Sequence, residues 1–532
     1  MTDFLWWRDG SIYQIYPRSF ADSNGDGIGD LNGITSRLDY LKQLGIDAIW
    51  LSPIYPSPDV DFGYDVSDYC GVDPKYGTLE DFDRLVEAAH ARGIRVVMDL
   101  VLNHTSDQHP WFVESRKSRD NPFRDWYLWA DPAPAGGPPN NWESVFGGKG
   151  WEFDPATGQY YFHMFYKQQP DLNWRNPAVR QAMLDVFRFW LERGADGFRL
   201  DVFNVYFKDE QLRSNPPKFG IRGFDRQQHI YDVDRPEMEP LLTEIRALLD
   251  SYPERYAVGE TFESTPQLAA RYCRPGLLHG TFNFKFTKSR WNAAAFLRAI
   301  QDAEGVLESG SWPTWVLNNH DLPRAGTRYG QGENDQRLKV AAALLLTLRG
   351  TPFLYMGEEI GMRDIPIRRD QILDPIGKRY WPFFIGRDGC RSPMQWDGSA
   401  SAGFTSGTPW LPVHNNAVER NVENQLDDPD SLLNFYKKLL HLRRAIPALR
   451  SGMFQPLNFA PSRILAYLRA DQNTTVLVAM NFGRRTYKLV LGGELARRRW
   501  RLLLSNKRER LDAEQFHLLP LAPNEVCILE QC

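Results

Sequence analysis

Three carboxylates stand where apolar runs end. Asp201 closes GFRLD, Glu260 closes YAVGE and Asp321 closes VLNNHD, while a fourth run, VVMDLVLNH, ends on His104. Arg199 lies two residues before Asp201, so on a strand both side chains project to the same side. A guanidinium in that place favours the ionised carboxylate, the state a nucleophile needs. Three acids converging on one apolar-walled mouth repel one another, so one pKa should rise and that group can serve as an acid. A pair of carboxyl groups about 5–5.5 Å apart cleaves glycosidic bonds with retention, through a covalent intermediate. A lone Arg-x-Asp is better explained as a structural ion pair, and any one of the acids alone could be structural. All four run ends carrying such groups together are much less easily structural.

A second cluster has metal-ligand spacing. In DSNGDGIGD, Asp22, Asn24, Asp26 and Asp30 occupy positions one, three, five and nine, with Gly27 at six and the Ile28 carbonyl available at seven. That is the ligand pattern of a calcium loop up to position twelve, where Gly33 replaces the bidentate glutamate. On spacing alone a solvated acidic turn competes closely.

The elements that must position the acids alternate in kind. SIYQIYP, AIWLS, RVVMDLV, GFRLDV, YAVGET, TFNFKF, TWVLNNHD and PFLYMGEE read as eight strands, seven of them followed by segments of helical period such as LEDFDRLVEAAHARG and PAVRQAMLDVFRFWLERG. Eight such units predict a (β/α)₈ TIM barrel with its reactive groups at the C-terminal strand ends. A doubly wound sheet competes, but no glycine-rich dinucleotide loop follows the first strand. After strand three the alternation breaks into about seventy residues rich in Pro, Gly, Asn and Trp. The expected organisation is therefore a barrel over residues 1–103 and 175–455, an inserted subdomain over 104–174, and a C-terminal antiparallel β domain over 456–532, where short strands such as TVLVAMNF and EVCILE are separated by turn residues.

Composition narrows the ligand. The 532 residues carry a formal net charge of −4, which offers no basic face to nucleic acid. Aromatic residues make up 13%, mostly what a large core needs, with a mild bias toward sugar rings, whose C–H faces suit aromatic walls. The five cysteines form no CxxC pair and indicate neither a zinc site nor a disulfide framework. The start, MTDFLWWRDGSIYQ, lacks the features of a signal peptide, and no run is apolar enough to span a bilayer. A cytoplasmic location is expected.

DLVLNH at Asp99–His104, GFRLDV at Gly197–Val202, VGET at Val258–Thr261, NNHD at Asn318–Asp321 and QPDLN at Gln169–Asn173 together resemble the α-amylase family of glycoside hydrolases, within it the α-glucosidase and oligo-1,6-glucosidase group, over essentially the whole chain. The resemblance implies Asp201 as nucleophile, Glu260 as general acid/base and Asp321 as the carboxylate that binds hydroxyls of the distorted sugar. It implies that His104 and His320 hydrogen-bond the non-reducing glucose and that Arg199 is the family's arginine. Asp61 and Tyr64, in DFGYDVSDY, become the hydroxyl clamp and stacking platform, and Arg391, in GRDGCRSPMQW, an arginine closing the glucose pocket. It also tips the Asp22–Asp30 loop toward a structural Ca²⁺ or Mg²⁺. The expected substrate is a small oligosaccharide or disaccharide. Sucrose isomerases, trehalose synthases and other transglycosylases share these residues and are the nearest rivals. A non-catalytic, transporter-associated homologue is remote, because all three carboxylates are kept.

Overall fold

The computed structural model describes residues 4–532 except 263, 264, 331, 333, 459, 512 and 513. Eight parallel strands form one sheet: β1 (Ile12–Ile15), β2 (Ala48–Leu51), β3 (Arg95–Leu100), β4 (Gly197–Leu200), β5 (Tyr256–Gly259), β6 (Gly280–Thr281), β7 (Thr314–Val316) and β8 (Thr351–Tyr355). They pair in the order β7–β8–β1–β2–β3–β4–β5–β6, and a parallel bridge between Phe282 and Thr314 brings β6 round to β7. Every strand residue is buried except Arg95, which is half-buried. That is why the strands read as unbroken apolar runs: the barrel interior covers one face and helices the other.

The covering helices start where the sequence supplies caps. Helix Leu79–Ala91 opens on a reciprocal Thr78–Asp81 capping box and buries Phe82, Leu85 and Ala89. Helix Pro177–Glu192 opens on the Asn176 side chain with proline in its first turn, and buries Val179, Met183, Phe187 and Trp190. Helix Leu432–Ala445 packs on Gln336–Thr347 and completes the outer ring.

Between β3 and β4 lies a three-stranded antiparallel sheet in which Gln159–Phe162 pairs with both Trp129–Ala130 and Trp151–Asp154. A bridge between His104 and Asp171 ties the return of this excursion to its start, at the barrel mouth. Beyond the barrel, a six-stranded antiparallel sheet and a two-stranded one form from Met453 onward. Among the described residues no helix is long and apolar enough to cross a membrane.

One element departs from the expected pattern. TFNFKF does not continue as a strand, because the Asn283 side chain accepts from the Lys285 and Phe286 backbone N–H groups and starts a helix at Phe284–Thr287. The aromatic alternation that suggests a strand instead serves a helical turn that buries Phe286 against Phe296 and Trp315.

Candidate active site

Arg199, on β4 and 1% exposed, is the centre of the mouth. One of its nitrogens meets Asp99 at 2.6 Å and Asp201 at 2.7 Å, and the other bonds Glu260. The chain thus brings the expected acids of strands four and five onto one cation. Asp201 follows the last residue of β4, and its N–H still bonds the Leu100 carbonyl of β3, so the side chain is fixed by the barrel ladder. Glu260 follows β5 in the same way, with its N–H on the Leu200 carbonyl. Gly259 lets it approach, since a Cβ there would lie 2.4 Å from the Phe203 ring and 2.6 Å from Leu278. Burial raises the Asp201 carboxyl to about 6; Arg199 works against the rise, while Asp99 and Asp321 add to it. Contrary to the expectation from the sequence, a raised pKa thus falls on the nucleophile candidate and does not by itself mark the acid.

Asp321 has the opposite electrostatics. Burial pushes its pKa up, but a bond from His320 at 3.0 Å and the guanidiniums of Arg387 and Arg391 hold it well below the ordinary carboxylate range. Burial also pulls His320 below its usual value, against the upward pull of Asp321. Gln14 on β1 reaches His320 Nδ1 at 2.7 Å, and with the amide donating, the proton sits on Nε2, facing Asp321 and the Tyr64 hydroxyl at 2.8 Å. The Tyr64 ring stacks on His320 with an interplanar angle of 5°, and its hydroxyl donates to Asp99. His104 bonds the Tyr64 carbonyl through Nε2 at 2.9 Å.

Asp61, Tyr64, His104, Asp201, Glu260, Asp321, Val202 and Arg387 line one cavity of about 220 Å³, walled on its apolar side by Phe146, Phe165 and Phe262. It widens past Val202, Glu260 and Asp321 into an outer cavity of about 720 Å³. Val202, between the two, has φ 34 and ψ 40, a left-handed backbone that a β-branched residue adopts only under constraint.

Besides Arg391, a second arginine of the same segment reaches the cavity. Arg387, in the cavity lining, joins Asp61 at 2.6 Å, Asp374 at 2.9 Å and Asp321 at 3.3 Å. Arg391, fully buried one helical turn later, stands behind Asp321, bonding its carboxylate and the His320 carbonyl at 2.9 Å each. Both lie in GRDGCR, and nothing in their spacing tells which one faces the cavity. Lys208 also escaped the sequence reading. It is 1% exposed and donates to Asp171, to the Val205 carbonyl and to Asn103 at 2.9 Å, tying the segment after β4 to the QPDLN stretch beside His104.

The acidic loop lies on the same side of the fold but outside the cavity. Asp22 accepts from the N–H groups of Asn24, Gly25 and Gly27 and from Thr405, and Asn24 and Asp26 are exposed beside it. Asp30 turns inward and caps helix Leu31–Ser36 through Gly33 while accepting from Ser23. Among the described residues no group of three His, Cys, Asp or Glu side chains gathers as a metal cluster. Asp22, Asn24, Asp26 and the Ile28 carbonyl offer oxygens of the hard type that suits Ca²⁺ or Mg²⁺, and the side-chain oxygens accept hydrogen bonds within the loop and from Thr405.

A (β/α)₈ ring with paired acids at the mouth of a sugar-sized cavity defines a retaining glycoside hydrolase. Residues 14–452 match the family described as the alpha-amylase catalytic domain, and the chain belongs to that family. It is 47% identical over 494 residues to a probable alpha-glucosidase of Rhizobium meliloti (strain 1021), with 90% of this chain and 89% of that one covered. It is 41% identical over 558 residues to an oligo-1,6-glucosidase of Parageobacillus thermoglucosidasius, with 98% of each covered. The crystal structure of an alpha-glucosyl transfer enzyme, XgtA, matches with a TM-score of 0.93 and 42% identity over 100% of both chains.

Proposed function

We propose that the protein is an exo-acting α-glucosidase that releases glucose from the non-reducing ends of short α-glucosides such as maltose or isomaltose. One observation carries this reading: the inner cavity is small, about 220 Å³, and gathers Asp201, Glu260 and Asp321 with Asp61 and Arg387, which pair at 2.6 Å in its wall. A space of about 220 Å³ suits a single sugar ring beside the acids. In this reading Asp201 attacks the anomeric carbon as Glu260 protonates the departing oxygen. Glu260, now a base, then takes a proton from the water that frees glucose. Asp321, kept ionised, accepts hydrogen bonds from ring hydroxyls, and the Nε2–H of His320 and of His104 lie on the same wall. Tyr64 offers its face to the ring. Arg199 fixes both reacting carboxylates and must stay charged to do so.

The Asp22–Asp30 loop is proposed to hold a structural Ca²⁺ or Mg²⁺ through Asp22, Asn24, Asp26, the Ile28 carbonyl and Asp30, whose side chain also caps helix Leu31–Ser36. The ion is outside the cavity and takes no part in the chemistry. A cytoplasmic location remains part of the proposal.

A second reading is favoured by the width of the outer cavity and the likeness to a glucosyl transfer enzyme: an acceptor other than water, as in a transglycosylase or sucrose isomerase, could take the glucosyl group. Product analysis on maltose, isomaltose, trehalose and sucrose separates the two, since hydrolysis gives equimolar free glucose from each bond cleaved. The acid assignment is tested with Glu260→Gln. Disaccharide turnover should fall by about 100- to 10,000-fold, while an aryl α-glucoside with a good leaving group is largely spared. Equal loss on both substrates would remove Glu260 from the acid role.

A further inference from the structure

The outer cavity is where the leaving group must lie if the α-glucosidase reading holds, and its wall is chemically lopsided. Among its described lining residues the only carboxylates are Glu260 and Asp321, both at the inner end and both already held by arginine. The other charged residues of the lining are Lys285 and Lys288, one helical turn apart across helix Phe284–Thr287. Lys288 has no ion-pair partner among the described residues. Lys285 meets only Asp302, at 2.6 Å, in a pair whose side chains are 51% and 44% exposed. An exposed pair of this kind is weak and yields readily to a competing anion. The Thr261 hydroxyl, in a residue 2% exposed, lines the same cavity without a hydrogen-bond partner. Phe262, Phe284 and Leu322 supply an apolar seat for a ring.

We propose that this cavity accepts a leaving group bearing an anionic substituent, a phosphate or carboxylate on the second sugar, with Lys288 and Lys285 as its counter-charges and Thr261 as a neutral donor. The proposal rests on the α-glucosidase reading and adds the charge of the aglycone to it. A neutral second sugar needs hydrogen-bond partners of either kind around its hydroxyls. Among the described residues of this wall, the charges not held by arginine are the ammonium groups of Lys288 and the weakly paired Lys285. They are complementary to an anion and would also steer such a substrate toward the mouth in a salt-dependent way. The bond cleaved is unchanged, and the anionic group leaves with the alcohol.

The test compares kcat/KM for three disaccharides on the full-length protein: maltose, maltose phosphorylated on the 6-hydroxyl of its reducing glucose, and the analogue with glucuronate as the reducing sugar. At low ionic strength at least one anionic substrate should be preferred over maltose by tenfold or more, chiefly through KM, and which one is preferred identifies the anion. The preference should shrink in 0.5 M NaCl and fall at least fivefold in Lys288→Met. No preference for either anion, or a preference indifferent both to salt and to Lys288→Met with Lys285→Met, overturns the proposal. A neutral aryl α-glucoside runs alongside. Its hydrolysis with no anionic preference sinks the anion claim alone, whereas no hydrolysis of it sinks the underlying glucosidase reading and this claim with it.

Discussion

At the scale of single residues, Arg199 decides the chemistry of the mouth. One buried guanidinium satisfies Asp99, Asp201 and Glu260, so none of the three is left as an unpaired buried charge. The opposing pulls on Asp201, burial and like charges upward and Arg199 downward, leave it at about 6. A nucleophile must be ionised, so kcat/KM should be full above that value and fall about tenfold per pH unit below it. The sign follows from protonation: acid converts the carboxylate to the inert carboxylic acid. A pH–rate profile on an aryl α-glucoside checks this. An acidic limb centred near 4 would mean that Arg199 outweighs burial.

Strand ends act as aiming devices at the scale of elements. Asp201 and Glu260 each keep one ladder hydrogen bond to the neighbouring strand, which holds the backbone still directly beneath the reactive carboxylate. The turn after Asp201 is then forced: Val202 takes a left-handed conformation at a cost of about 1–3 kcal/mol, held by its packing among the aromatic side chains of the inserted segment. Val202 lines both the inner and the outer cavity, so under the proposed reading it faces the second sugar. Val202→Thr keeps the shape and changes one methyl for a hydroxyl. The maltose-to-isomaltose ratio of kcat/KM should rise by roughly fivefold, on the order of 1 kcal/mol. An unmoved ratio would assign linkage choice to the surrounding loops.

For the whole molecule, the acidic loop matters through what it is tied to. Asp22 N–H bonds the Phe404 carbonyl, Thr405 donates to Asp22, and Trp410 N–H bonds the Gly27 carbonyl. Ser19, just before the loop, accepts from Met394 N–H and donates to the Arg391 carbonyl. The segment that carries Arg387 and Arg391 is therefore fastened to the first βα connection. An ion bound only by the folded loop stabilises the protein by linkage, about 2.7 kcal/mol at a hundred times its Kd. Chelation should lower the melting temperature while leaving turnover at low temperature unchanged, and elemental analysis should find about one divalent ion per chain. No metal by elemental analysis, with melting indifferent to added Ca²⁺ and Mg²⁺, would return the loop to a plain acidic turn.

The barrel and its acids were legible in the chain because both are local. A strand buried on two faces must be apolar throughout, so a charged residue at its end stands out, and two-residue spacing is enough to put Arg199 and Asp201 on one side. Asp61, Tyr64, His104 and His320 could be named from the motifs around them. Which arginine of the late insertion lines the cavity was not legible. The Asp61–Arg387 contact joins residues 326 positions apart, through an insertion with no regular period, and either arginine of GRDGCR satisfies the pattern. The same holds for Lys208, whose three acceptors come together only when the inserted segment folds back onto the mouth. TFNFKF went the same way, its strand-like alternation overruled by one asparagine side chain that caps a helical turn. Local pattern determined which groups reach the mouth. Long-range packing decided which of them face the sugar and which stand behind, because that depends on partners no short stretch of sequence contains.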